Sequence, residues 1–183
     1  MSGRLFVISG ASGVGKSTVL GKVMKCNPDL RFSVSATTRA PRPGETHGVE
    51  YYFITKEEFR EMIDRNAFVE YDAHMDNYYG TPIDQLEEKL KTGDVILDIE
   101  PVGAFNVRSV RPDATLIFIA PPSMEELERR LRGRGDTAED QIRKRLERAK
   151  WEMEQSPKYD HIVINDTVDP CAEEILKIIA EKA

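Results

Sequence analysis

With 183 residues, 40% hydrophobic and 32% charged, the chain has the size and composition of one globular domain with small insertions, which excludes a disordered or fibrous protein. Its net charge of −6 excludes a protein that grips nucleic acid chiefly by neutralising phosphates along one face. No apolar run approaches the roughly 18 residues of a membrane span, and the start Met1-Ser2-Gly3-Arg4 lacks a signal peptide's apolar stretch, so a cytoplasmic protein without a membrane partner is expected.

Taken in chain order, Leu5-Phe6-Val7-Ile8-Ser9 is a short apolar run ending at Gly10, the pattern of a buried strand entering a turn. Val19, Leu20, Val23 and Met24 follow at helical spacing, and Pro28 lies beyond them as a stop. Ser33 to Thr81 then breaks the rhythm: a short β-like piece, Tyr51-Tyr52-Phe53-Ile54, precedes a helix from about Lys56 to Arg65, among many polar, aromatic and Arg residues. Buried-strand runs resume at Asp94–Asp98, Ala114–Ile119 and His161–Ile164, each followed by helix-forming sequence. Between the last two, Met124 to Gln155 is almost wholly charged and helical, with Gly133 and Gly135 in its middle. Cys26 and Cys171 lie far apart without His or Cys at ligand spacing, the usage of reduced thiols rather than of zinc or a disulfide framework.

Continuous apolar runs signal strands covered on both faces, and strand–helix alternation signals parallel crossovers. The expected fold class is α/β with a doubly wound parallel sheet. Its core is expected over residues 1–32, 83–123 and 156–183, with a small mixed α+β insertion over 33–82 and a helical lid over 124–155.

The sharpest chemical signal is Gly10-Ala11-Ser12-Gly13-Val14-Gly15-Lys16-Ser17, which fits G-x-x-x-x-G-K-[ST] and stands between a predicted strand and a predicted helix. Glycines let backbone N–H groups converge on phosphate oxygens at the positive end of a helix dipole. Lys16 is expected to reach the β- and γ-phosphates of a bound nucleotide as a catalytic charge, and the Ser17 hydroxyl to bind Mg²⁺. Thr18 belongs to the same donor-binding set. Asp98, closing an apolar strand, is the expected second oxygen ligand for the metal. A Gly-rich turn with a surface lysine would explain neither the glycine spacing nor the Lys-Ser pair.

Such a loop serves GTPases, motors and small-molecule kinases alike, so the acceptor side must decide. Ser33-Val34-Ser35-Ala36-Thr37-Thr38-Arg39-Ala40-Pro41-Arg42-Pro43-Gly44-Glu45, Phe68-Val69-Glu70-Tyr71, Asn77-Tyr78-Tyr79-Gly80-Thr81, Arg130-Leu131-Arg132-Gly133-Arg134-Gly135 and Val163-Ile164-Asn165-Asp166 together resemble the guanylate kinase family. The resemblance runs in order from about Leu5 to Asp166. It implies a P-loop kinase core, a GMP-binding insertion and an arginine-bearing lid, with Mg·ATP as donor and GMP or dGMP as acceptor. Carried over by position, it implies that Arg39, Arg42, Tyr51 and Tyr79 hold the GMP phosphate and that Ser35, Glu70 and Thr81 read guanine.

Those residue types suit the task. Guanine offers two donors, N1–H and N2–H, and one acceptor, O6, to which a carboxylate with a hydroxyl is complementary. Arginine forks bind phosphate bidentately. The resemblance further implies that Arg130, Arg134 and Arg145 surround the transferring phosphoryl group or the ATP base, and that Asn165 lies on the adenine side. Arg129, Arg132, Arg143, Lys144 and Arg148 read as a solvated helix face. After Asp98 the run Ile99-Glu100-Pro101-Val102-Gly103-Ala104 departs from the family's Asp and Gln: Glu100 keeps the charge with one more methylene, and Val102 lacks the amide. Glu100 is still placed among the GMP-binding candidates. The rival expectations are a related P-loop kinase with another phosphorylated acceptor, which would not need Glu70 and Thr81, and a non-catalytic guanylate-kinase-like interaction module.

Overall fold

The chain was analysed as a computed structural model that describes residues 3–74, 76–133 and 138–181. The predicted apolar runs become strands of a five-stranded sheet in the order β2-β7-β1-β8-β9, formed by β1 (Leu5–Gly10), β2 (Arg31–Phe32), β7 (Val95–Asp98), β8 (Thr115–Ala120) and β9 (His161–Ile164). β2 pairs with β7, and β8 with β9, in parallel. All six residues of β1 and of β8 are buried, as continuous runs of Leu, Ile, Val and Phe require.

β9 differs from its reading. Although His161–Ile164 is a continuous run, Ile162 and Ile164 are 45% and 48% exposed and only Val163 is fully buried. The strand is the sheet's edge, so position in the strand order, not apolarity, decided its coverage.

The chain divides into two compact units, residues 1–6 with 29–114 and residues 7–28 with 115–183. In the first, a four-stranded sheet in the order β4-β3-β6-β5 is built from β3 (Ala36–Thr37), β4 (Tyr52–Phe53), β5 (Phe68–His74) and β6 (Asn77–Pro82). β5 and β6 form an antiparallel hairpin with a bulge between Phe68 and Glu70. The sequence reading located only the β4 piece and the helix after it. That helix, α2 (Lys56–Asp64), starts at Thr55, whose side chain accepts from the Glu58 N–H while the Glu58 carboxylate accepts from the Thr55 N–H, a reciprocal cap. Phe59 on its inner face stacks on Phe68 and Tyr78, with ring centroids 4.4 and 5.3 Å away, and so fastens α2 to the hairpin. The helices α3 (Ile83–Leu90) and α4 (Pro101–Val110) complete this unit.

The second unit holds α1 (Lys16–Cys26), α5 (Met124–Arg132), α6 (Glu139–Gln155) and α7 (Val168–Glu181). α5 starts at Ser123, whose hydroxyl accepts from the Glu126 N–H. Glu126 in turn accepts from Arg129 and Arg130, which hold its carboxyl down to about 2. Arg129, Arg132 and Arg143 make exposed ion pairs along this charged stretch, the solvated face expected for them. Among the described residues no helix is long and apolar enough to cross a membrane.

Candidate active site

In the second unit, β1 delivers its last residue, Gly10, to a loop that ends at the N-terminus of α1, where Lys16 is the first helical residue. The loop is held from both ends. The Ala11 N–H donates to the Ile119 carbonyl at 3.2 Å and the Val14 N–H to the Ala11 carbonyl at 2.9 Å. Gly13 has φ +87°, and a Cβ there would lie 2.6 Å from the Leu131 side chain, so the loop needs glycine both for its turn and for its seat on α5. Ser17 and Thr18 are exposed at the helix mouth, where N–H groups and the dipole favour an anion.

Beside this loop opens a cleft of about 360 Å³ whose walls include Gly15, Thr18, Arg130 and Asn165. Asn165, buried just after β9, donates from Nδ2 to the Val14 carbonyl at 2.8 Å, while its buried Oδ1 has no hydrogen-bond partner among the described residues. Arg130 donates to the carbonyls of Asn165 and Asp166 at 2.7 and 2.8 Å and to the Glu126 carboxylate at 2.7 Å, so its guanidinium braces the β9–α7 turn. Arg145 on α6 reaches the Ser12 hydroxyl at 3.5 Å. Arg134 and Gly135 lie outside the described residues.

α6 contributes a group that sequence reasoning missed. Glu152, only 1% exposed, accepts from the Ser12 backbone N–H at 2.6 Å and from Arg148 Nε at 2.9 Å. Arg148, placed by sequence on a solvated face, is therefore the partner of a buried carboxylate. Charged helical sequence carries no local signal that separates the two cases.

In the first unit, Glu70 on β5 is buried, and the Thr81 hydroxyl on β6 donates to its Oε1 at 2.7 Å, across paired positions of the hairpin. Burial pushes the Glu70 carboxyl above the usual range, partly opposed by the Thr81 bond. Gly103 on α4 closes the other side: a Cβ there would stand 2.7 Å from Glu70 Oε2. Ser35 is half-buried just ahead of β3.

At the other end of β3, Arg39 and Tyr51 meet Tyr79. The Arg39 guanidinium lies 5.4 Å above the Tyr51 ring, and Tyr51 and Tyr79 stand edge to face at 6.0 Å. Both terminal nitrogens of Arg39 donate to the Glu45 carboxylate at 2.9 Å, and the Arg42 N–H donates to it at 2.7 Å. Glu45 thus holds Arg39 firmly charged, and Arg39 holds the Glu45 carboxyl below its ordinary range. The Arg42 side chain is exposed on the same turn. Asp98 ends β7, and Glu100 is exposed at the N-cap of α4.

A family model described as guanylate kinase matches residues 2–182. The chain belongs to the guanylate kinase family. It is 46% identical over 180 residues to a guanylate kinase of Escherichia coli strain K12, covering 97% of this chain and 87% of that one. It is 46% identical over 174 residues to a guanylate kinase of Synechococcus sp. strain JA-3-3Ab, covering 94% and 80%. Among solved structures, a guanylate kinase from Anaplasma phagocytophilum superposes with a TM-score of 0.77 at 32% identity, over 99% of this chain and 86% of that one. A gluconokinase from Sinorhizobium meliloti, 16% identical with a TM-score of 0.52, shares the fold alone. Guanylate kinase membership agrees with the α/β class and the parallel sheet read from the sequence.

Proposed function

We infer that this chain transfers the γ-phosphoryl group of ATP to GMP, with dGMP as a second acceptor, giving ADP and GDP or dGDP. The observation that carries this reading is the buried Glu70 carboxylate, joined to Thr81 and set in the same unit as the Arg39, Tyr51 and Tyr79 cluster. The proposed roles follow from donor and acceptor chemistry. Glu70 accepts from guanine N1–H and N2–H, the Ser35 hydroxyl donates to O6, and Thr81, already donating to Glu70, orients it and offers a lone pair to N2–H. Arg39, Arg42, Tyr51 and Tyr79 take the GMP phosphate, and Glu100 stands at the entrance of the α4 helix beside this set.

On the donor side, residues Gly10 to Thr18 cradle the ATP phosphates, with Lys16 as the mobile charge. Asn165 Oδ1, a buried acceptor without a partner among the described residues, fits the adenine amino group. Arg145 and Arg134 stabilise charge on the transferring phosphoryl group, and Arg130 keeps the β9–α7 turn in place around the base. Ser17 and Asp98 offer the hard oxygen donors that Mg²⁺ takes, and a hydroxyl with one carboxylate is the partial set expected of an ion that arrives on nucleotide phosphates. When bound, Mg²⁺ neutralises phosphate charge. Among the described residues no cluster of three acidic, His or Cys side chains could hold a metal by itself, in keeping with that reading.

We also propose the division into a core over 1–32, 83–123 and 156–183, a GMP-binding insertion over 33–82 and a lid over 124–155, acting in the cytoplasm without a nucleic-acid or membrane partner. The test is ADP formation with Mg·ATP and a panel of acceptors. GMP and dGMP should turn over far faster than AMP, CMP or UMP; equal turnover of AMP or of a sugar phosphate would move the chain to another acceptor class.

A further inference from the structure

Among the described residues only Glu70 and Glu152 are buried carboxylates, and the acceptor site uses only the first. A buried anion is costly unless its oxygens are fully bonded, and one placed beside a loop built for phosphate also repels the ligand. Glu152 therefore does not add nucleotide affinity. Its bonds point to geometry instead: one oxygen takes the Ser12 N–H of the phosphate loop at 2.6 Å, and the other takes Arg148 Nε at 2.9 Å.

Arg145, Arg148, Ala149 and Glu152 follow one another at i, i+3, i+4 and i+7, which puts them on one face of α6. Ala149 within that stripe is completely buried. Arg145 approaches the hydroxyl of the same residue, Ser12, whose amide Glu152 holds. Two side chains two helical turns apart thus converge on one residue of the loop. Arg148, lying 5.2 Å above the Trp151 ring on the outer side, supplies the counter-charge.

We propose that Glu152 is a positioning residue: by clamping Ser12 to α6 it fixes how far the Arg145 guanidinium stands from the phosphoryl group held by the loop. The proposal rests on the reading of Arg145 as an arginine of the transfer step. Near-attack geometry is sensitive to shifts of about 1 Å, which can lower a rate on the order of 100-fold.

The experiment is a double-mutant cycle on the full-length enzyme. Glu152→Gln keeps the side chain's size but replaces one acceptor oxygen with an NH₂ donor, so the Ser12 and Arg148 N–H groups are no longer both satisfied. It should lower kcat by roughly ten- to a hundred-fold with KM for GMP little changed, and lower the melting temperature by only the few degrees that one unsatisfied buried N–H costs. On an Arg145→Ala background the same substitution should cost almost nothing, because the group it positions is gone. If Arg145→Ala is impaired and the Glu152→Gln loss is simply multiplied onto it, or if the loss falls wholly on KM for ATP, the proposal is overturned while the reading of Arg145 stands. An Arg145→Ala enzyme with undiminished kcat removes that reading, and the proposal with it. Should Glu152→Gln fail to fold, Glu152→Asp keeps the charge but draws the carboxylate back from Ser12 by one methylene, and the cycle with Arg145→Ala is read by the same outcomes.

Discussion

The proposed acceptor site places its specificity in one buried carboxylate, Glu70, and the chemistry of that group makes a double test. In Glu70→Gln an NH₂ donor faces a guanine donor, and an unsatisfied buried polar pair costs about 1–3 kcal/mol, so kcat/KM for GMP should fall roughly ten- to several-hundred-fold. IMP and AMP, which lack the N2 amino group, should lose less, so discrimination should shrink. Steady-state kinetics with the three acceptors at saturating Mg·ATP measure this; equal losses for all three would sink the assignment. The same residue predicts a pH dependence. Burial raises the Glu70 pKa, and only the ionised form accepts from both N1–H and N2–H, so kcat/KM for GMP should drop as pH falls through that raised value, earlier than an ordinary carboxylate would allow. For stability the sign is opposite: the folded state binds the Glu70 proton more tightly than the unfolded state. Its contribution is therefore lost as pH rises from the ordinary carboxylate range through the raised value. Glu70→Gln should remove both effects.

At the scale of elements, the proposed acceptor pocket depends on how closely α4 approaches β5. Gly103 sets that approach, since a Cβ on it would stand 2.7 Å from Glu70 Oε2 and 3.3 Å from Ile99 Cδ1. The nearer atom is the end of a side chain, so Gly103→Ala should displace the carboxylate from its Thr81 bond rather than unfold the unit. The expected outcome is a rise in KM for GMP of about tenfold, the loss of one good hydrogen bond, with a small change in melting temperature and no change in KM for ATP. A large drop in melting temperature with unaltered KM would instead make Gly103 a packing residue only. The elements differ in how far their sequences announce them. β1 and β8, buried on both faces, declare themselves by unbroken apolar runs. The β5–β6 hairpin does not, because Glu70, Tyr71, Asp72 and Tyr79 put polar and aromatic side chains where a half-buried strand would alternate apolar with polar. Glu152 is hidden within α6 for another reason, since nothing local in a charged helix separates a buried carboxylate from a solvated one.

In the molecule as a whole, the residues proposed for the donor side, Gly10 to Thr18, Arg145 and Asn165, all belong to one compact unit, and those proposed for the acceptor side, Ser35, Arg39, Glu70, Tyr79 and Thr81, all belong to the other. Lys16→Met should therefore nearly abolish turnover, because it removes a charge that acts on developing phosphate charge, yet leave GMP binding intact. At 100 times Kd a ligand that binds only the folded state adds about 2.7 kcal/mol, enough for a thermal shift of several degrees. A GMP-induced shift equal to wild type in an inactive Lys16→Met protein is the expected result. Retained turnover, or a lost GMP shift, would contradict the assignment of Lys16 to the donor site alone.

By itself the sequence determined the α/β class, the phosphate loop and the family, because each is carried by residues near one another along the chain. A phosphate cradle needs consecutive backbone amides and a helix start, and a buried strand needs consecutive apolar side chains. Tertiary structure alone decided the rest. It decided that β9 is an edge with Ile162 and Ile164 open, that Arg130 braces a turn through the carbonyls of Asn165 and Asp166, and that Glu45 grips Arg39. It also decided that Glu152 meets Ser12 from 140 positions away. Burial and the pairing of charges depend on which distant segments pack together, and a charged residue reads the same in sequence whether water or a buried amide surrounds it.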